Sequence, residues 1–390
     1  MAEFRLTKLF REFFESEKTG GLILVFCTLV SILVANSALG AGWLHFWHSH
    51  LDLSFRSVPL DYSVEHWVND GLMAVFFLLV GLEIEREIYI GELADFRNAL
   101  LPILAAAGGM LIPAGFHFLF NHGRPEQAGF GIPMATDIAF ALGVLSLLGN
   151  KVPASVKIFL TALAIIDDLG AILVIAIFYT KGLALVWLGG AAAILLLLLI
   201  FNKIKINKLA FYILPGILLW YCMLRSGIHA TLSGVLLAFV IPFRKGEDSI
   251  NPSYRLQHFL HKPVAFGILP LFALANTGIL FSAGWPGGLL SANSLGILIG
   301  LVLGKPIGIL LCCWLALRAG WCRMPEGMVW SHLLGAGLLA GIGFTMSIFI
   351  TNLAFSDADH VQSSKIAILF ASLLASCLGF VALSRSTRSK

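Results

Sequence analysis

Residues 154–179 read ASVKIFLTALAIIDDLGAILVIAIFY, an apolar run with two adjacent aspartates, Asp167 and Asp168, at its centre. About 20 predominantly apolar residues are enough for an α-helix to cross the hydrocarbon core of a bilayer. An ionised aspartate in the middle of such a helix costs about 2.5–3.5 kcal/mol on insertion scales, so it needs a partner or a function. This stretch therefore predicts a membrane-spanning helix that carries ionisable groups at mid-membrane.

The rest of the chain has the same apolar character. Of its 390 residues, 58% are hydrophobic and only 12% are charged, and the mean hydropathy is +0.89. A soluble domain of this size cannot bury that much apolar surface. The composition predicts an all-α polytopic membrane protein in which residues 1–390 form a single transmembrane domain. Uncharged runs give about twelve spans, at 17–38, 64–84, 99–120, 126–148, 154–179, 184–202, 209–224, 227–243, 259–281, 293–316, 329–353 and 365–384.

The loops indicate the orientation of the chain. The net charge is only +4, and the Lys and Arg residues are spread over short loops, so nucleic-acid binding is not expected. Most of these basic residues fall on one side of the membrane, which places both termini in the cytoplasm. The main hydrophilic segments are then a cytoplasmic loop at 244–258 and an outer loop at 40–63. Alternating polarity at 51–58 is consistent with a β-hairpin in the outer loop.

Four ionisable residues lie inside predicted spans: Asp137, Asp167, Asp168 and Lys305. Neighbours on a helix point about 100° apart, so one carboxylate of the pair can face a cavity while the other faces an adjacent helix. Two carboxylates this close rarely both ionise in a low dielectric, which suits alternate binding of a proton or a hard cation such as Na⁺. The alternative is a structural ion pair between Lys305 and one aspartate, which leaves the second aspartate unexplained.

Two spans contain signals for an interruption. Pro133 disfavours helix just before Thr136 and Asp137, and both of these residues are helix N-cap types. Four glycines within 335–343 predict a second break. Interrupted spans in corresponding places of two halves indicate the binding site of a secondary transporter. Two alternatives stay open: Asp137 balances helix-end dipoles instead of binding the ion, and the glycines serve only close helix packing.

Further titratable groups lie near the ends of spans. Glu83, Arg86 and Glu87 share one helix face near the cytoplasmic end of the second span. Histidine titrates near neutral pH, and His229 lies at an outer end while His258 and His261 lie at an inner one. The acidic cluster is either an ordinary solvated helix end or a region for pH sensing or ion entry.

Seven motifs follow one another along the chain: GLEIERE (81–87), ATDIAFALG (135–143), AIIDDLGA (164–171), SGIHATLSG (226–234), LPLFALAN (269–276), GKPIG (304–308) and GIGFTMSIFI (341–350). They closely resemble the motifs of the NhaA family of Na⁺/H⁺ antiporters, and the match covers essentially the whole chain. The resemblance implies a bacterial inner-membrane protein with inverted repeats of spans three to five and ten to twelve. It also implies two discontinuous helices that cross at mid-membrane.

The resemblance also implies roles for individual residues. Asp168 and Asp167 match the ion and proton carriers, Thr136 lies near the Na⁺ site, and Lys305 matches the partner of Asp167. Asp137 matches the charge that balances the crossed helix ends. The implied pH-response positions are Glu83, Arg86, Glu87, His229, Arg255, His258 and His261. The outer loop 40–63 matches the contact of a homodimer embedded in lipid, and no cofactor is implied beyond the transported Na⁺ or Li⁺ and H⁺.

Two residues depart from the family pattern. Gln257 replaces an acid, so one pH-response contact is expected to be lost. Glu85 replaces a lysine, which makes the inner region more acidic. Both departures bear on the activation pH and leave the transport chemistry unaffected.

The resulting hypothesis is an electrogenic, pH-regulated Na⁺(Li⁺)/H⁺ antiporter that works by competition at the aspartates. An intramembrane aspartyl protease is the alternative from another class, with Asp137 and one aspartate of the adjacent pair activating water. The Gly-x-Gly-Asp signature of such proteases is absent from the sequence.

Overall fold

The computed structural model describes residues 8–55, 58–180, 182–243, 251–281 and 285–386. Its helices are α1 (Lys8–Ala35), α2 (Gly40–His48), α3 (Val64–Tyr89), α4 (Phe96–Phe120), α5 (Pro125–Met134), α6 (Ile138–Leu147), α7 (Ala154–Phe178), α8 (Leu185–Lys203), α9 (Ala210–Ser226), α10 (Leu232–Ala238), α11 (Pro252–Asn276), α12 (Ala292–Arg318), α13 (Trp330–Ala340), α14 (Phe344–Ala354) and α15 (Ala358–Ser386). Short helical turns lie at Glu92–Ala94, Gly149–Lys151 and Trp285–Gly288. The all-α polytopic architecture predicted from the composition is confirmed.

Four helical segments differ from regular α-helix. The α5 segment winds as a tighter 3₁₀ helix. Turns of wider π-helix interrupt α3, α11 and α12 at Trp67–Leu72, Val264–Ile268 and Gly300–Gly304. Such turns often mark functional positions in a helix.

Seven helices in the described part of the chain are long and apolar enough to cross a bilayer: α3, α4, α7, α8, α11, α12 and α15. Three bent pairs raise this number to ten, namely α1 with α2 (114°), α5 with α6 (44°) and α13 with α14 (44°). The predicted spans 209–224 and 227–243 correspond to the 17-residue α9 and the seven-residue α10. Gly227 ends α9 in the left-handed conformation, with φ at 85°, where glycine fits without strain. Hydropathy did not reveal how short α10 is, because it averages composition over a window that includes the turns.

The chain divides into two compact units, and the first comprises Met1–Leu29, Leu100–Asp167 and Ser282–Lys390. From α4 to α7, a continuous helix is followed by a broken pair and another continuous helix, and α12 to α15 repeat this order. Both broken pairs bend by 44°, as expected for repeated structures. Helices α4 and α12 approach closely at Gly108 and Gly308, where a Cβ on either residue would overlap the backbone of the other.

The second unit comprises Val30–Ala99 and Asp168–Phe281. In it α8 packs on α9, and α3 packs on α10 and α11. The backbone of α10 approaches α3 so closely that a Cβ at Gly234 would overlap the Ala74 carbonyl. These contacts fix the position of the polar ends of α3.

The segment predicted as an outer loop, 40–63, is largely ordered secondary structure. It begins with α2 and continues into an antiparallel hairpin of β1 (His50–Asp52) and β2 (Asp61–Ser63). In this hairpin His50 pairs with Ser63, and Asp52 pairs with Asp61. Residues 56–57 in its turn lie outside the described residues. Of the predicted cytoplasmic loop 244–258, residues 244–250 also lie outside them, and most of the remainder forms the start of α11.

Candidate ion-binding site

The two broken helix pairs of the first unit meet at their breaks. The chain is extended between α5 and α6, with Ala135 at φ −80° and ψ 151°. There the Asp137 amide donates to the Ile342 carbonyl at 2.7 Å, and the Ser347 hydroxyl donates to the Ile132 carbonyl at 2.7 Å. These bonds pair backbone N–H and C=O groups that lose their helical partners at a break. Such pairing allows a non-helical segment to lie within the membrane.

Asp137 lies between the N-termini of two half-helices. Its Oδ1 accepts from the Phe140 amide of α6 at 2.9 Å, and its Oδ2 accepts from the Thr345 amide of α14 at 3.0 Å. The Thr345 hydroxyl donates to the same Oδ2. One buried carboxylate thus caps two helices, where the partial positive charges of both dipoles favour an anion. This is the placement that a dipole-balancing role requires.

The C-terminal ends of the other two half-helices, α5 and α13, contact hydrogen-bond donors. The Lys305 ammonium donates to the carbonyl of Met134, the last residue of α5. The Thr136 hydroxyl lies 2.9 Å from the carbonyl of Ala340, the last residue of α13. A cation at a helix C-terminus is stabilised by the partial negative charge of the exposed carbonyls. The crossing therefore has negative charge at its N-terminal ends and positive charge at one of its C-terminal ends.

Asp167 of α7 joins this crossing. Its Oδ2 lies 2.9 Å from Lys305 Nζ, and both side chains are fully buried. The same oxygen accepts from the Thr136 hydroxyl at 2.7 Å. Its other oxygen, Oδ1, is buried and has no hydrogen-bond donor among the described residues. Buried polar atoms normally have a partner, so this oxygen is a candidate acceptor for a water molecule, a proton or a cation.

The Thr136 hydroxyl has one hydrogen and two acceptors within reach, so it cannot donate to both at once. With Asp167 ionised, the hydroxyl donates to the carboxylate. With Asp167 protonated, the carboxyl group donates to Thr136, whose hydrogen then turns to the Ala340 carbonyl. The hydroxyl thus links the protonation state of Asp167 to the end of α13.

Asp168 follows Asp167 on α7 and is 2% exposed. The helical twist turns it about 100° away from the Lys305 direction. The adjacent carboxylates therefore have different surroundings. Carboxylate oxygens are hard donors, which suit hard cations. Within the described residues, no group of three or more His, Cys, Asp or Glu side chains is placed to hold a resident metal ion.

Six of the seven predicted pH-response residues lie on the end of α3 or on α11, which packs against it. Arg86 pairs with its neighbour Glu87 at 2.9 Å, and Glu83 is buried. The positive charge of Arg86 acts on His261. The remaining two residues, Arg255 and His258, are exposed. The structure therefore brings one acidic and basic cluster together at this end of α3.

The two residues that depart from the family pattern form part of the contact between α3 and α11. The Gln257 side chain hydrogen-bonds Glu83, and the Ser253 hydroxyl donates to Glu85 Oε2 at 2.8 Å. Gln257 thus supplies a neutral partner where an acid was expected. Glu85 is 5% exposed and contributes a buried carboxylate to this contact.

The seventh residue, His229, lies elsewhere in the second unit. Its Nε2 is 3.0 Å from the Tyr179 carbonyl. Its charge acts on Asp70, which sequence reasoning did not single out and which pairs with His66 at 3.1 Å. The missed signal was present, because Asp70 is a charge inside the predicted span 64–84 and His66 stands four residues before it.

The sequence of the chain is similar to those of known proteins. The family model described as Na⁺/H⁺ antiporter 1 matches residues 11–383. The chain is 58% identical to a Na⁺/H⁺ antiporter NhaA of Dechloromonas aromatica, over 97% of this chain and 96% of the relative. It is 56% identical to NhaA 1 of Flavobacterium johnsoniae, over 97% of each chain. It is 46% identical to NhaA of Escherichia coli O139:H28, over 96% of this chain and 97% of the relative. The chain therefore belongs to the NhaA family of Na⁺/H⁺ antiporters.

Proposed function

We propose that this protein is an electrogenic, pH-regulated Na⁺(Li⁺)/H⁺ antiporter that extrudes Na⁺ by competition between the cation and protons at Asp168 and Asp167. The observation that carries the proposal is the buried Asp167 carboxylate. Lys305 and Thr136 hold it where two broken helices meet. Small movements of the half-helices can change which side of the membrane an ionisable group at such a break faces.

Competition follows from the charge of the site. Cation binding requires ionised carboxylates, and protonation removes the negative charge that attracts Na⁺. Lys305 is the counter-ion of Asp167 when the site is empty. The two carboxylates can each take up a proton, whereas together they bind one Na⁺ ion. Each cycle then exchanges more protons than Na⁺ ions and moves net charge across the membrane. The exchange is therefore driven by voltage as well as by the proton gradient.

The proposal includes the cellular setting. The protein lies in the bacterial inner membrane with both termini in the cytoplasm, because the basic loop residues fall mainly on that side. The cluster of Glu83, Arg86 and Glu87 with α11 then faces the cytoplasm and adjusts activity to pH. The β1–β2 hairpin within 40–63 faces outward as the contact of a homodimer. No cofactor takes part, since the cation and the proton are both substrates.

The hydrogen bonds and the ion pair that Asp137 and Asp167 form favour transport over intramembrane proteolysis. Both oxygens of Asp137 accept hydrogen bonds from helix N-termini or Thr345, and Asp167 is bound to Lys305. A protease needs two aspartates that share a water molecule instead. The relatives are also named as antiporters.

The proposal is tested by the effect of pH on the Na⁺ concentration that gives half-maximal exchange in inside-out vesicles. Since more than one proton competes with each cation, this concentration is expected to rise at least about tenfold for each unit of pH decrease in the acidic range. At saturating Na⁺ the maximal rate should recover. An apparent Na⁺ affinity that is independent of pH would contradict competition.

Thr136 provides a second test. Replacing it with valine removes the hydroxyl and keeps the branched shape, so we expect about a tenfold loss of apparent Na⁺ affinity, the equivalent of one hydrogen bond to a charged group. Thr136→Ser, which keeps the hydroxyl, should remain within about twofold of the native protein on the same reasoning. Half-maximal Na⁺ concentrations in vesicles measure both variants. Equal apparent Na⁺ affinities of Thr136→Val and Thr136→Ser would show that the Thr136 hydroxyl does not contribute to Na⁺ binding.

A further inference from the structure

Thr161 lies on α7, before the aspartate pair in the chain. Its side chain is 7% exposed, and its hydroxyl oxygen has no hydrogen-bond partner among the described residues. A buried threonine inside a helix can satisfy its hydroxyl with the carbonyl four residues earlier. Thr28 of α1 and Thr351 of α14 donate in this way at 2.8 Å each. The Thr161 hydroxyl makes no such bond, so its own helix does not use it.

An unpartnered hydroxyl inside a membrane-spanning helix lowers stability, because water is not there to take the place of the missing partner. Valine fills nearly the same space as threonine and carries no polar atom. Packing alone therefore does not account for the hydroxyl of Thr161. A ligand that meets this oxygen during part of the transport cycle accounts for it.

Thr161 and Asp168 lie on the same face of α7. Seven residues at 100° each bring their directions within about 20° of one another, and the helix rises about 10 Å between them. Lys157 lies on this face one turn before Thr161, at the end of α7 that the proposed orientation places in the cytoplasm. A lysine near a span end can extend its ammonium group into the water at the membrane surface. Thr161 therefore lies between the cytoplasmic surface of the membrane and the mid-membrane aspartate.

The same face of α7 is apolar in the two turns that follow Asp168. Ile172 and Ile175 point within about 40° of the Asp168 direction. Both side chains are buried, at 6% and 0% exposed, and neither offers an oxygen to a cation. Near Asp168, the side-chain oxygen on this face therefore lies in the half of α7 that Na⁺ passes on its way from the cytoplasm.

We propose that the Thr161 hydroxyl oxygen is a transient ligand for Na⁺ between the cytoplasm and Asp168. The inference rests on the proposed antiport function and adds a residue to its inner route. Hard cations take oxygen ligands, so the hydroxyl can replace a water molecule that the cation loses on entry. The oxygen is shielded from solvent here, and the cation reaches it when neighbouring side chains move, as alternating access requires. Asp168 holds the cation, whereas Thr161 lowers the barrier to reaching it.

Transport measured separately from each face tests this role, because loading limits the rate when Na⁺ is scarce. In inside-out vesicles, whose cytoplasmic face meets the bath, we expect Thr161→Val to reduce exchange at low Na⁺ about fivefold, the effect of losing one neutral oxygen ligand. In right-side-out vesicles Na⁺ loads from the outer face, so exchange by the same variant should stay within about twofold of native. Thr161→Ser keeps the hydroxyl and should behave like the native protein from both faces.

Thr28→Val is the matched control, because Thr28 is also 7% exposed and its hydroxyl bonds its own helix. It should leave exchange from both faces unchanged. Thr161→Ala, which also lacks the hydroxyl, repeats the test if valine disturbs folding. An equal loss from both faces would show that Thr161 is only structural, and native exchange by Thr161→Val from the cytoplasmic face would also overturn the proposal. If the native protein shows no exchange at all, the proposed function itself fails, which is a distinct result.

Discussion

Replacing Asp168 with asparagine is expected to reduce Na⁺-driven proton exchange about a hundredfold or more. The change removes a buried carboxyl group while it preserves the size of the side chain. A charged ligand contributes about 3 kcal/mol to holding a cation in a low dielectric, and this corresponds to roughly a hundredfold in affinity. Collapse of a preformed pH gradient on addition of Na⁺ to inside-out vesicles measures the effect.

The control for this variant is Asp359→Asn, at an exposed aspartate in the first turn of α15. It should exchange Na⁺ at the native rate, which shows that removal of a carboxylate elsewhere has no effect. Full exchange by Asp168→Asn would show that the cation is bound elsewhere. Asp137 would then be the next residue to test.

Replacing Lys305 with methionine is expected to destabilise the folded protein by about 3–5 kcal/mol. Methionine fills a similar volume, but it leaves the fully buried Asp167 without its cationic partner. Removing one partner of a buried ion pair is costly, whereas removing both partners costs little. Asp167→Asn introduced into Lys305→Met should therefore recover most of the lost stability. Thermal unfolding in detergent, compared across the native protein, both single variants and the double variant, gives the coupling energy.

Lys203→Met is the matched control for this series, because Lys203 is exposed at the end of α8. It should change stability by less than about 0.5 kcal/mol, as is usual for surface positions. If Lys305→Met is no more destabilised than this control, Asp167 does not depend on its partner for stability. Exchange activity of the double variant then shows separately whether the pair is needed for transport.

Membrane architecture and the polar residues at mid-membrane were predictable from local patterns. The aspartates of α7 and Lys305 stand out because charges are rare in apolar runs. Pro133 and the glycines of 335–343 predicted both breaks, since each residue weakens a helix locally. The strand-like alternation of 51–58 likewise indicated the hairpin, although the first nine residues of the predicted outer loop form the helix α2.

Contacts between distant parts of the chain were not predictable in this way. Thr345 was not singled out, and yet its amide and hydroxyl both donate to Asp137. The carbonyls of Met134 and Ala340 are free to accept hydrogen bonds from Lys305 and Thr136 only because half-helices end at these residues. The contact of the Gln257 side chain with Glu83 was also not foreseen. Hydropathy also overlooked Asp70, because a single charge near a span end changes a window average very little.

The sequence by itself determined that this chain is a polytopic membrane protein of the NhaA family with acids at mid-membrane. Composition and periodicity act locally, and the bilayer requires every spanning segment to satisfy its own backbone. The tertiary structure alone decided that Asp137 caps two helices, that Asp167 shares Thr136 with Ala340, and that Lys305 serves both Asp167 and the end of α5. Those contacts join residues up to 208 positions apart, and only the packing of the helices brings such residues together.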